Sequence, residues 1–299
     1  NINLLPFSTD GDGSTAMTIN SSGTYTLSAT NINGTTTQNV GLFVGPARPN
    51  IVFLLVDDMG IQDTSVPFVL NGSGTPVRYN LNNFYVTPNM ETLAANGMRF
   101  TAAYAQSVCS PTRTGLMTGR NSTRHAVSNW VGSGSAGSGG SPNNWRSSGL
   151  DATDVCLPQI LADAGYCTIH VGKAHYGSNN IGKDPLNLGF DVNIGGANFG
   201  HPGSYTGTYG SGGSHAVPHL EAYHNTGTFL TKALATEANK AIQNAHDDGK
   251  PFFLNMSFYA VHAPFTDNPD ATGDYSAAYN SNHNKYATML EGMDLAVGQ

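Results

Sequence analysis

Ile51-Val52-Phe53-Leu54-Leu55-Val56 is an unbroken apolar run, the pattern a strand needs when both of its faces are covered. Residues 166–171 and 252–258 read as two further strands of similar length. Helical signals fall between them. Thr87-Pro88 supplies a capping hydroxyl and a first-turn proline, and Asn96-Gly97 a stop. Residues 157–164 read as a second helix, and Leu230, Leu234, Ala238, Ile242 and Ala245 form one stripe within a third, over 228–246. Strands alternating with helices predict an α/β domain over residues 50–299, with a mostly parallel central sheet flanked by helices.

Residues 1–45 read differently. Tyr25-Thr26-Leu27-Ser28-Ala29-Thr30 alternates like a half-buried strand, Asn31-Ile32-Asn33-Gly34 is turn-like, and a Thr/Val-rich run follows as far as Val44. The segment predicts a β-hairpin and resembles the closing strands of immunoglobulin-like modules, of which it is too short to be a whole one. Two prolines in Gly45-Pro46-Ala47-Arg48-Pro49 make residues 46–49 a linker. Two Gly/Ser/Asn-rich stretches, 131–149 and 194–214, read as functional loops or locally disordered segments.

Composition narrows the function classes. The formal charge of −7 with no Lys/Arg cluster argues against a nucleic-acid partner, and no apolar run reaches the length of a membrane span. Only 11% of residues are charged while Gly, Ser, Thr and Asn abound, which favours a secreted or periplasmic protein. Of the three cysteines, Cys156 and Cys167 would lie about 12 Å apart along a helix and its following strand, beyond disulfide reach. Both read as core thiols, and Cys109 is the one left for chemistry.

Ligands of open α/β sheets bind beyond the carboxyl ends of the strands. Here the first strand runs into Asp57-Asp58, the second into Gly172-Lys173-Ala174-His175, and the third into Tyr259-Ala260-Val261-His262-Ala263-Pro264. Taken singly, a paired Asp reads equally well as a turn, and a lone His as a surface residue. The segment Cys109-Ser110-Pro111-Thr112-Arg113-Thr114-Gly115-Leu116-Met117-Thr118-Gly119-Arg120 gives them a common meaning. Pro111 suits a helix's first turn, so Cys109 falls at an N-terminus, where free N–H groups and the helix dipole favour an anion.

Cys-x-Pro-x-Arg followed by Thr-Gly-x-x-Thr-Gly-Arg resembles the signature of the formylglycine-dependent sulfatases, a family of the alkaline-phosphatase-like superfamily. With Arg48-Pro49-Asn50, Thr87-Pro88-Asn89-Met90-Glu91, Gly-Lys-Ala-His-Tyr-Gly at 172–177 and His262-Ala263-Pro264, the resemblance extends over about residues 49–299. Ala174 and Tyr176 depart from the family's usual Trp and Leu.

The resemblance implies a sulfuric ester hydrolase. A maturation enzyme would convert Cys109 to formylglycine, whose hydrate attacks sulfur and then releases sulfate. Asp57, Asp58 and the Cys109-derived oxygen would ligate Ca²⁺, with Mg²⁺ as the alternative, since hard oxygens suit hard cations. Arg113 would hold the diol and a neighbouring carboxylate, and Lys173 the sulfate oxygens. His175 would take the diol proton and His262 would protonate the leaving alcohol, or the reverse. The substrate would be a sulfated carbohydrate or an aryl sulfate. The family's further metal ligands and second lysine are expected on later strands, so the resemblance implies a sequence truncated at both ends and a half-built, weak Ca²⁺ site. Two other readings stay open: a phosphate ester hydrolase of the same superfamily, and a non-catalytic glycan-binding protein.

Overall fold

The computed structural model describes residues 23–31, 34–42, 48–131, 142 and 145–299, and the chain divides into two compact units, Asn1–Pro49 and Asn50–Gln299. In the smaller unit, β1 (Gly23–Asn31) and β2 (Gly34–Leu42) pair antiparallel, with Gly23 opposite Leu42 and Asn31 opposite Gly34. The expectations placed on residues 1–22, on the turn residues 32–33, on 43–47 of the second run and linker, and on most of the 131–149 loop lie outside the described residues.

In the larger unit, β3 (Ile51–Leu55), β4 (Cys167–Gly172), β5 (Val192–Ile194) and β6 (Phe252–Ser257) form one sheet in the order β3-β6-β4-β5. Every pairing in it is parallel. The helices are α1 (Asn80–Phe84), α2 (Pro88–Asn96), α3 (Cys109–Thr118), α4 (Ser122–His125), α5 (Leu157–Asp163), α6 (Leu230–Asp247) and α7 (Ser281–Val297). Strand alternation sends Ile169, Val171, Leu254 and Met256 into a core shared with α6 and α7. Phe253, with Ile51 and Phe53 beside it, faces a second core with Met117, Leu150 and Tyr176. All six residues of the central β6 are buried.

Three local features differ from the sequence reading. Val52 is exposed and no residue of β3 is fully buried, so this strand, at the end of the strand order, is not covered on both faces as the apolar run implied. The three-residue β5 was not expected; Val192-Asn193-Ile194 is too short and too polar to show a period. Thr87 is the N-cap of α2, but its hydroxyl accepts from the Ser65 backbone N–H at 2.8 Å instead of capping the helix. The Asp294 carboxylate of α7 takes over, accepting from the backbone N–H groups of Asn89 at 3.0 Å and Met90 at 2.8 Å.

Cys156 and Cys167 are free thiols, as expected, and burial pushes Cys156 up to about 12. No helix among the described residues is long and apolar enough to cross a membrane.

Candidate active site

The carboxyl ends of β3, β6 and β4 are tied together by main-chain hydrogen bonds. Asp57 N–H donates to Ala260 O at 3.1 Å, Val261 N–H to Asp57 O at 2.8 Å, and Lys173 N–H to Ser257 O at 2.7 Å. The last bond requires a close approach at the end of β4. Gly172 has φ +92°, and a Cβ there would lie 2.0 Å from Ser257 O, so only glycine fits.

α3 begins at Cys109, preceded by Val108 in extended conformation, and Pro111 lies within its first turn. One turn on, Arg113 is 2% exposed. Its Nη1 donates to Lys173 O at 2.7 Å and to Ser257 Oγ at 2.5 Å, while Nη2 donates to Asp57 Oδ1 at 3.2 Å. Lys173 Nζ, fully buried, donates to the other Asp57 oxygen. Burial alone would raise the Asp57 carboxyl, but Arg113 and Lys173 outweigh it and hold the group below its ordinary range. Burial, and then the Arg113 charge, lower Lys173 against the pull of Asp57.

His175 follows in a left-handed conformation, φ +53°, with its Nδ1 3.2 Å from Cys109 Sγ and its Nε2 3.3 Å from Val131 O. A proton on Nε2, donated to that carbonyl, leaves the Nδ1 lone pair facing the thiol. Burial, reinforced by Lys173 and Arg113, depresses this imidazole to about 3, so the ring is neutral at neutral pH. The backbone of the 194–215 loop presses against it: a Cβ on Gly200 would meet His175 Cε1 at 2.9 Å and Nδ1 at 3.1 Å.

Asp58 is also left-handed, φ +57°, and its side chain is exposed. His262 Nε2 lies 3.6 Å from Asp58 Oδ2, and Nδ1–H of His262 donates to Ala263 O at 2.8 Å. Tyr205 fixes the turn by donating its hydroxyl to His262 O at 2.8 Å. Non-glycine residues in this backbone region are uncommon, and here two of them are site candidates.

A cavity of about 410 Å³ opens over these groups, lined by Cys109, His175 and His262 together with Trp130, Val131, Asn198, Phe199, Gly200, His201 and His215. The structure thus brings Asp57, Arg113 and Lys173 into one contact network, with Cys109 and His175 as one pair and Asp58 and His262 as another. It does not place Lys173 as a solvent-facing charge, because Asp57 holds it. Sequence reasoning missed Ser257, which stood at a strand's carboxyl end and was open to the same rule that found Lys173. Trp130, His201 and His215 gave no periodic or motif signal.

The family resemblance implies a divalent cation. Asp57, both of whose oxygens are held by Arg113 and Lys173, and Asp58, next in sequence, carry hard oxygens of the kind that suit Ca²⁺ or Mg²⁺. They make one side of such a site, since no group of three or more His, Cys, Asp or Glu converges on a metal position among the described residues.

The model of the family described as Sulfatase matches residues 49–299. The chain belongs to the sulfatase family. It is 33% identical over 234 residues to the N-acetylgalactosamine-6-sulfatase of Mus musculus, covering 73% of this chain and 41% of that protein. It is 28% identical over 261 residues to Arylsulfatase J of Mus musculus, covering 85% of this chain and 39% of that protein. This sulfatase-family chain therefore spans about two fifths of the length of those relatives. Among solved structures, it resembles Ps i-CgsB with a TM-score of 0.63 at 24% identity, over 84% of this chain and 53% of that one. The PsFucS1 sulfatase from Pseudoalteromonas sp. aligns with a TM-score of 0.61 at 23% identity, over 84% and 50% of the two chains. These likenesses establish the alkaline-phosphatase-like sulfatase fold, a mostly parallel sheet flanked by helices.

Proposed function

We propose that the whole protein hydrolyses sulfate esters, on a sulfated carbohydrate, with Cys109 as the precursor of a formylglycine nucleophile. The observation that carries this reading is the seat of Cys109: the first residue of α3, at the floor of the cavity, 3.2 Å from a neutral imidazole. Membership of the family and the similarity to a relative named N-acetylgalactosamine-6-sulfatase support a sugar sulfate as the substrate class.

Formylglycine, when formed and hydrated, would supply a hydroxyl nucleophile and a second hydroxyl whose deprotonation frees the product. The chain's own residues prepare the rest. The N–H groups at the start of α3, with the buried Arg113 and Lys173 charges behind them, would favour a sulfate oxyanion. His175 presents a lone pair to the residue-109 side chain and takes its proton. His262 stands at the cavity wall with Nδ1 pinned to Ala263 O, so its Nε2 is the atom for delivering a proton to the departing alcohol. Asp57 and Asp58 would hold a divalent cation, which supplies Lewis-acid polarisation of a sulfate oxygen. Lys173, held beside Asp57, would supply positive charge to a sulfate oxygen. A formylglycine-generating enzyme is the implied maturation partner, and export to the periplasm or medium the implied location.

Peptide mass spectrometry on residues around Cys109, after coexpression with a formylglycine-generating enzyme, tests the reading. A loss of about 18 Da is the expected thiol-to-aldehyde change. An unmodified thiol, or an intact parent protein that turns over an aryl phosphate faster than an aryl sulfate, would overturn it.

A further inference from the structure

The cavity above Cys109 has walls whose chemistry is unlike its floor. Trp130, half exposed, lies in the segment that follows α4, and His201 and His215 come from the loop after β5. Their imidazoles stack at 4.2 Å between centroids and 11° between planes, and Phe199 tilts against His215 at 5.3 Å. This loop is built, not loosely draped: Gly203 N–H donates to His215 O at 2.8 Å, and Phe199 stacks on the buried Tyr259. The Nδ1 atoms of His201 and His215 are engaged locally, by Pro202 O at 3.0 Å and by Ser214 Oγ at 2.9 Å. Among the described residues neither Nε2 has a partner.

Charge is the discriminating feature. From Ile194 to His215 the sequence contains no Asp, Glu, Lys or Arg. Among the described residues that line the cavity, the only side chains that can become cationic are imidazoles, and two parallel rings at 4.2 Å repel each other if both are charged. Burial, and then His201, lower His215. A wall of this kind, aromatic faces with a few nitrogen edges, suits a sugar ring, whose C–H face packs on an indole and whose hydroxyls need acceptors and donors. It offers a second sulfate group no permanent counter-charge, and an unpaired anion there would be desolvated at a cost.

Resting on the sulfate-ester reading above, we propose that Trp130, His201 and His215 are the specificity-determining wall, and that they select a pyranoside carrying the scissile sulfate with no second sulfate on the neighbouring ring. Trp130 takes the ring face, and the two imidazole edges take its hydroxyls.

Isothermal titration of the matured chain at pH 7.5 tests this with three probes: inorganic sulfate, a disaccharide sulfated on its terminal ring, and the same disaccharide with a second sulfate on the adjacent ring. The monosulfated sugar is expected to bind roughly tenfold tighter than the disulfated one, a difference of ~1.4 kcal/mol. Trp130→Ala should weaken the monosulfated sugar by roughly three- to tenfold and leave inorganic sulfate unchanged, since only the sugar uses the indole. His215→Arg should invert the preference between the two sugars. Disulfated sugar binding as tightly as monosulfated to the unaltered chain, or a Trp130→Ala chain with unchanged sugar affinity, overturns the proposal. Loss of inorganic-sulfate binding together with an unmodified Cys109 would instead remove the sulfate-ester reading, so the two failures are told apart.

Discussion

Arg113 is the residue on which the site's geometry turns, because a single buried guanidinium reaches Asp57, Lys173 O and Ser257 Oγ. A lysine there has one compact charge and cannot span three acceptors. Removing the charge with Arg113→Met should destabilise the fold by about 3–5 kcal/mol, since it leaves a buried carboxylate with one partner fewer. Asp57→Asn combined with Arg113→Met should cost clearly less than the two single changes added together, read from urea unfolding midpoints of all four chains. Additive losses would mean that the Arg113–Asp57 contact contributes nothing to stability. At this scale the sequence was informative where chemistry sits directly after a strand: Asp57, Lys173, His175 and His262 all follow an apolar run, and Cys109 opens a motif. His201 and His215 lie in a glycine-rich loop with no period, so only the folded chain brings them beside Cys109.

Among the elements, α2 and α7 are joined in a way that local sequence does not announce. The first turn of α2 finds its acceptor in Asp294, more than two hundred positions later, while the nearby Thr87 hydroxyl serves Ser65. Asp294→Ala should therefore lower stability by about 1–2 kcal/mol through lost capping of a different helix. Thr87→Val, which removes a hydroxyl bonded to Thr64 and Ser65, should leave α2 intact and loosen residues 64–66 instead. Amide exchange at Asn89 and Met90 distinguishes the two variants: faster exchange in the first and none in the second is the expected pattern. The long stripe of α6 and the buried run of β6 were legible because each repeats its signal several times. A cap needs one partner at any distance, and sequence spacing carries no trace of it.

For the molecule as a whole, the parallel sheet between two apolar cores also buries polar groups that titrate. His170, fully buried in β4, accepts from Asn255 Nδ2 at 2.9 Å on Nδ1 and places Nε2 3.0 Å from Gly172 O, as a neutral ring does. Burial depresses it from 6.5 to about 3. The unfolded chain therefore gains a proton below pH 6.5 that the native chain does not. The stability is fully present above pH 6.5 and is lost as pH falls toward 3, with a slope approaching ~1.4 kcal/mol per pH unit from this one group. His175 adds in the same direction. His170→Gln should flatten the dependence of the urea midpoint on pH between 6.5 and 4 by about one proton's worth, and an unchanged slope would show that His170 is not buried neutral. The fold class was open to reading because it rests on the alternation of strand and helix, repeated along 250 positions. The depressed protonation of His170 and His175 was not, because it depends on what surrounds them from other elements.

Gly200 carries a consequence for how relatives of this chain can diversify. The loop that faces the sugar touches the His175 ring through a residue with no side chain, at a distance where even a methyl group would push the imidazole away from Cys109. A loop transplanted from another sulfatase would bring its own selectivity only if it also brought a glycine to that contact; otherwise the new preference would arrive with a displaced base. On the reading proposed above, choice of sugar and placement of the proton acceptor would be coupled through this contact, and a graft that keeps Gly200 while exchanging residues 201–215 would separate them.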